Sequence, residues 1–153
     1  PKMLADNSIE NIYVIGHGEA GRPHLYEAER CNSGSKPIAD VISDINSLLR
    51  KKTKVGVKLK MTACESADRE TLLSFKQTNE TSQRKKGIEP LAKSAKTEAE
   101  KHFTEARVFG YHGLGISRGS GYISQARCLD ADFDNETGKV SQWIKASSVR
   151  KEF

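Results

Sequence analysis

The 153-residue chain is poor in the features that mark small secreted scaffolds and membrane proteins. Its three cysteines, Cys31, Cys64 and Cys128, cannot all pair with one another, and their spacing lacks the C-x-x-C signature of a zinc or redox centre. At least one thiol is therefore expected to be free, which indicates a reducing compartment. No apolar run approaches the roughly 18 residues that a transmembrane helix needs, so we expect no membrane span.

Length and composition favour one globular domain over residues 1–153. A chain of this size buries roughly two-thirds of its unfolded surface without needing disulfides. Its 36% hydrophobic and 29% charged residues lie far from the profile of a disordered chain. Because the chain starts at Pro1 instead of methionine, we expect it to be a domain excised from a longer protein.

The positive charge is concentrated in the middle of the chain. Residues 51–100 hold 12 basic and 7 acidic side chains, which accounts for the whole net charge of +5. Two clusters could meet the phosphates of a polyphosphate: Lys51-Lys52 with Lys54, Lys58 and Lys60, and Arg84-Lys85-Lys86. Charge runs are more often solvated faces, so we expect no nucleic-acid partner and keep a polyphosphate as an alternative.

The first half of the chain predicts a strand, a helix and a strand. Residues 12–15 form a nearly continuous apolar run that is typical of a strand buried on both faces. Apolar side chains then recur at helical spacing through residues 36–52, a stripe that includes Leu48, and Pro37 suits the first turn. Residues 54–63 alternate between apolar and lysine side chains, which predicts a strand with one wet face.

The second half continues this alternation and ends in a ribbon. We expect helices over residues 66–76 and 89–103, a mobile loop over the polar residues 78–87 between them, and a strand over residues 106–111. Residues 122–128 and 140–147 favour a β-ribbon. The order predicts an α/β, three-layer fold with a mainly parallel sheet, helices on both faces and a C-terminal β-ribbon.

Reactive side chains follow the three predicted strands. The first strand leads into His17, the second into Cys64, and the third into His112. Ligands of parallel sheets bind beyond the carboxyl ends of the strands, because the loops that leave that edge converge there. We therefore expect one thiol and two imidazoles to share an edge of the sheet.

These residue types suit nucleophilic catalysis by a thiol. Cys64 would be the nucleophile and His17 the base that turns it into a thiolate. The amides of Gly18 and Cys64 would hold the developing oxyanion. His112 duplicates the His-Gly pair and is an alternative base. Contacts to the substrate are expected from Glu65, Ser66 and His112.

The two segments Ile12-Tyr13-Val14-Ile15-Gly16-His17-Gly18 and Lys60-Met61-Thr62-Ala63-Cys64 resemble the catalytic segments of caspase-like cysteine peptidases. Among these, the chain looks most like the autoprocessing cysteine peptidase domains of bacterial toxins and related effectors, over about residues 10–115. The resemblance implies a His17–Cys64 dyad that cleaves a protein or peptide, including its own chain. It also implies residence in a host cytosol for a secreted effector, or in the cytoplasm otherwise.

Two features depart from those toxin domains. Their orienting aspartate lies well upstream of the histidine, whereas only Asp6 and Glu10 precede His17 here. They bind inositol hexakisphosphate as an activator on a basic patch that includes part of a β-ribbon, and the tail of this chain after Gly113 is short for that. The resemblance implies this activator through the basic middle third of the chain, and no third catalytic residue is assigned.

Three alternatives stay open. A non-catalytic module of the same fold would recognise a phosphate-rich or protein partner. The run Gly16-x-Gly18-x-x-Gly21 matches a dinucleotide fingerprint, although the predicted helix begins too late for that motif. A zinc site from His17, Cys64 and His112 is conceivable, but short-range ligand pairs are lacking, so no metal is expected.

Overall fold

The computed structural model describes residues 9–27, 34–49, 55–78, 88–116 and 126–153. Its elements, in chain order, are β1 (Asn11–Val14), β2 (His24–Tyr26), β3 (Ser35–Pro37), α1 (Ile38–Leu49), β4 (Lys58–Met61), α2 (Leu91–His102), β5 (Arg107–Tyr111), β6 (Leu114–Ile116), β7 (Ala126–Cys128), β8 (Ile144–Lys145) and β9 (Arg150–Glu152). The main sheet has the strand order β1-β4-β5-β9. In it β1, β4 and β5 run parallel, and β9 pairs antiparallel with β5. The predicted α/β class with a mostly parallel sheet is confirmed.

One face of the main sheet packs against both helices. The large aliphatic side chains buried in this core come from the strands β4 and β5 and from both helices, namely Leu59, Met61, Val108, Ile38, Ile42 and Leu91. Helix α2 approaches the sheet closely because it presents small alanine side chains: a Cβ atom on Gly110 would lie 2.7 Å from that of Ala92. This packing holds the carboxyl ends of β1, β4 and β5 in fixed positions.

The prediction of helices on both faces is wrong for the part of the chain that the structure describes. The two helices contact each other and share one hydrophobic core, so they lie on the same face. The opposite face carries Lys58, which pairs with Glu10, and Lys60, whose ammonium lies 4.8 Å from the centre of the Tyr13 ring. It is partly hydrated, as the lysine alternation of β4 indicates.

The apolar stripe of α1 is only partly buried. Ile38 and Ile42 are buried, but Leu48 is 82% exposed. Six residues after Ile42 the helix has turned about 120° away from that direction, so Leu48 points past the edge of the core.

The predicted helix over residues 66–76 is wrong. Residues 64–67 form a turn, and only Phe75–Thr78 form a short 3-10 helix. Glu65 has a positive φ of 52°, and the side chains of Ser66 and Asp68 accept hydrogen bonds from the amides of Tyr111 and Gly113, each 45 positions away. These long-range bonds replace the local hydrogen bonds that a helix would need.

Two smaller antiparallel sheets complete the fold. β2 pairs with β3, and β7 pairs with both β6 and β8. The predicted ribbon is thus a three-stranded sheet in which β6, directly after β5, is an unexpected member. Of the predicted loop over residues 78–87, residues 79–87 lie outside the described part of the chain, as do residues 122–125. Among the described residues, no helix is long and apolar enough to cross a membrane.

Candidate active site

The pairing of β1 with β4 brings together the loop that contains His17 and the loop that contains Cys64. Val14 and Met61 are direct partners in this parallel pair, and His17 and Cys64 each lie three residues further along the chain. Beyond the paired positions, the amide and the hydroxyl of Thr62 both donate to the Val14 carbonyl, each at 2.9 Å. The two loops therefore leave the sheet side by side.

Gly18 touches the backbone of the cysteine. A Cβ atom at position 18 would lie 2.5 Å from the Cys64 carbonyl oxygen, 2.9 Å from the Ala63 Cβ and 3.5 Å from the Cys64 nitrogen. Any side chain larger than hydrogen would collide with backbone atoms that cannot rotate away. The glycine after His17 is thus explained by its contact with Cys64.

Exposure separates the predicted site residues into two groups. His17, Gly18 and Cys64 are partly exposed, whereas Glu65, Ser66 and His112 are buried. A side chain that reacts with a substrate needs access from solvent. The three residues that keep access are the predicted base, nucleophile and oxyanion glycine.

The Cys64 sulfur lies against the strand β6. The amide of Gly115 donates to the Cys64 Sγ at 3.2 Å. One residue further, the amide of Glu65 donates to the Gly113 carbonyl at 2.8 Å. The turn that carries the thiol is thus attached at Cys64 and at Glu65 to the segment that follows β5.

Ser66 has a structural position. Its hydroxyl donates to the Met61 carbonyl at 2.6 Å and accepts from the Tyr111 amide at 2.9 Å, and no part of the residue is exposed. These bonds join the ends of β4 and β5. The placement argues against the predicted contact between Ser66 and a substrate.

Glu65 is also turned inward. Its carboxylate accepts from the Ala20 amide at 3.2 Å. Burial raises the pKa of this carboxyl above its usual value, and the bonds from Thr71 and Ala20 oppose that effect in part. Glu65 therefore braces the loop after His17 rather than facing a substrate.

His112 forms a buried pair with a residue that sequence reasoning missed. Its Nδ1 lies 2.5 Å from the Asp68 Oδ1, and the other Asp68 oxygen accepts from the Gly113 amide at 2.9 Å. Both side chains are buried. The pair fixes the start of the loop that bonds to Glu65, which argues against His112 as a substrate contact. A single aspartate four residues after Cys64 carries no sequence signal for this role.

Arg127 is the second missed residue. It lies in β7 and is fully buried, and its guanidinium stacks 4.7 Å from the centre of the Tyr111 ring. It donates to three main-chain oxygens, those of Thr62 at 2.8 Å, Ala63 at 3.2 Å and Gly113 at 3.4 Å. Burial lowers the pKa of this arginine, and nearby groups that include Cys64 oppose the effect. No motif in the sequence marks it.

The remaining alternatives gain little from this geometry. Gly21 has a φ of 70° and its amide donates to the Asp68 carbonyl, while a Cβ there would lie 2.4 Å from the Arg69 carbonyl oxygen. The segment continues into β2, not into a helix that could receive phosphates. Within the described residues, no group of three or more His, Cys, Asp or Glu side chains could hold a metal ion.

No family model matches the chain, and neither a curated protein nor a solved structure gives a match.

Proposed function

We propose that this protein is a cysteine peptidase of the caspase-like type, with Cys64 as nucleophile and His17 as base. The observation that carries the proposal is the contact of Gly18 with the Cys64 backbone, which puts the His17 loop against the cysteine. Both reactive residues keep access to solvent. The expected substrate is a protein or peptide, including the chain's own polypeptide or a host protein.

The main-chain amides supply the second part of the proposal. Among the described residues, neither the Gly18 amide nor the Cys64 amide has a hydrogen-bond acceptor. Two unused N–H groups beside a thiol are what the oxyanion of an acyl-transfer reaction requires. They would stabilise the tetrahedral intermediate where its negative charge develops.

The reaction would follow the course common to thiol hydrolases. His17 takes the proton of the Cys64 thiol, and the sulfur attacks the scissile carbonyl carbon. The intermediate collapses when His17 returns the proton to the leaving amine, which departs and leaves a thioester on Cys64. Water, deprotonated by the same imidazole, then hydrolyses the thioester and releases the second product.

Turnover of fluorescein-labelled casein tests this function. The wild type should release labelled peptides, and Cys64→Ala should release none while it unfolds at nearly the same temperature. Cys128→Ala is the matched control because it removes another sulfur, and it should keep the activity. Equal turnover by the Cys64→Ala variant would refute the mechanism.

The choice of base has a separate test. His17→Ala should abolish turnover with little loss of stability, because His17 is half-buried. His112→Ala should lower the unfolding temperature sharply, because it leaves the buried Asp68 carboxylate without one of its partners. Full activity in folded His17→Ala would refute His17 as the base.

Inositol hexakisphosphate as an activator belongs to this proposal only through the resemblance. Of the basic clusters considered for a polyphosphate, Lys58 and Lys60 are described, and they contact Glu10 and Tyr13 respectively. Thermal unfolding with and without saturating inositol hexakisphosphate measures binding, since a ligand of the folded state raises the midpoint. An unchanged midpoint would remove both this activator and the phosphate-binding alternative.

A further inference from the structure

We propose that Arg127 is a positioning residue that orients the Cys64 amide toward the oxyanion. This inference rests on the proposed function, because it concerns a group of the same site. The guanidinium of Arg127 is fully buried and donates hydrogen bonds to main-chain oxygens next to the proposed nucleophile.

The orientation of the Cys64 N–H follows from the geometry of the peptide bond. The Ala63 carbonyl and the Cys64 N–H belong to one peptide unit, and no described peptide bond is cis. In a trans peptide the C=O and N–H bonds point in opposite directions. Because Arg127 holds the Ala63 oxygen at 3.2 Å, the Cys64 N–H must point away from the guanidinium.

The peptide unit between Cys64 and Glu65 is also held in one orientation. The Glu65 N–H donates to the Gly113 carbonyl, which also accepts from Arg127. The Cys64 carbonyl therefore points away from Gly113, toward Gly18.

The same strand pair connects Arg127 with the sulfur. Gly115, whose amide donates to the Cys64 Sγ, is the direct cross-strand partner of Arg127 in the β6–β7 pair. Within this pair, Gly115 thus holds the thiol of Cys64 and Arg127 holds the carbonyl of the residue before it. A buried charge is costly unless it is bonded, and here the bonds go to the turn that carries the nucleophile.

Three measurements on Arg127→Met and Arg127→Lys test the inference, with Arg150→Met as the matched control. Arg150 also stacks on an aromatic ring, that of Phe109, but lies on the outer strand β9. The first measurement is kcat and KM on fluorescein-labelled casein. The second is the rate at which iodoacetamide alkylates Cys64, a displacement that forms no oxyanion. The third is the nuclear Overhauser effect between the Cys64 amide proton and the α protons of Gly18.

The positioning role predicts a divided result. Arg127→Met should lower kcat by about 10²-fold, the loss typical of one oxyanion donor, with KM changed little. Arg127→Lys, which retains a charge but not the fork of donors, should fall between that variant and wild type. Alkylation should stay within about threefold of wild type, and the Overhauser effect should disappear in Arg127→Met alone.

Each other outcome is decisive. Unchanged kcat and an unchanged Overhauser effect in folded Arg127→Met would overturn the inference. Absence of this Overhauser effect from the wild type would overturn it as well. Loss of the folded state in both variants would overturn it too, because Arg127 would then act on stability alone. If wild type does not cleave casein while the Overhauser effect depends on Arg127, the orientation stands and the peptidase proposal fails.

Discussion

Replacing Gly18 by alanine should damage both the fold and the site, although it adds a single methyl group. The added Cβ would lie 2.5 Å from the Cys64 carbonyl oxygen and 2.9 Å from the Ala63 Cβ. Attractive contacts of carbon atoms begin at about 3.5 Å, so the two loops must move apart by about 1 Å.

That displacement should lower both the stability of the fold and the rate of the reaction. Overpacking of this kind costs about 1–3 kcal/mol of stability when the neighbours cannot yield, and here one neighbour is main chain. A misplacement of about 1 Å in a catalytic arrangement can cost about 10²-fold in rate. We therefore expect a lower free energy of unfolding and a larger proportional loss of casein turnover.

Urea unfolding and initial rates of casein hydrolysis measure the two effects, with Gly16→Ala as the control. A Cβ at position 16 would be 3.3 Å from the nearest atom, the end of the flexible Leu25 side chain. The control should lose little of either property. If Gly18→Ala were as stable and as active as Gly16→Ala, the contact on which the proposed site depends would be refuted.

Three further predictions concern packing, pH and thiol reactivity. Ile42→Ala should cost about 2–5 kcal/mol in urea unfolding because Ile42 is fully buried, whereas Leu48→Ala, at an 82% exposed position, should stay within about 0.5 kcal/mol of wild type. The pKa of Glu65 is raised in the fold, so the stability that it contributes is full below its unfolded pKa and is lost as pH rises through the folded pKa. Glu65→Gln should therefore gain more in Tm at about pH 7 than at about pH 4, and an equal gain at both would contradict a raised pKa of Glu65. Burial raises the pKa of Cys128 to about 11, so peptide mapping after iodoacetamide near neutral pH should find Cys64 labelled well before Cys128.

The three parallel strands of the main sheet and the two helices could be predicted because each has its own periodicity, whereas the antiparallel strand β9 was not predicted. The runs that became β1, α1, β4, α2 and β5 differ in period from the segments beside them, and their ends were misplaced. The first run was also predicted to be buried on both faces, but β1 is an edge strand in which Tyr13 is 41% exposed. The segment after Cys64 failed for a physical reason. Ser66 and Asp68 look compatible with a helix, but their side chains bond to residues 44–45 positions away.

The sequence by itself determined that His17 and Cys64 follow neighbouring parallel strands, because the pattern of apolar and polar residues is local. Only the tertiary structure decided which of the six predicted site residues stay accessible, and that Arg127 lies against the Thr62 carbonyl from 65 positions away. Such bonds depend on how strands from distant parts of the chain are placed side by side. No spacing along the chain encodes that placement, so the proposed nucleophile could be selected from the sequence, and the buried groups that contact its turn could not.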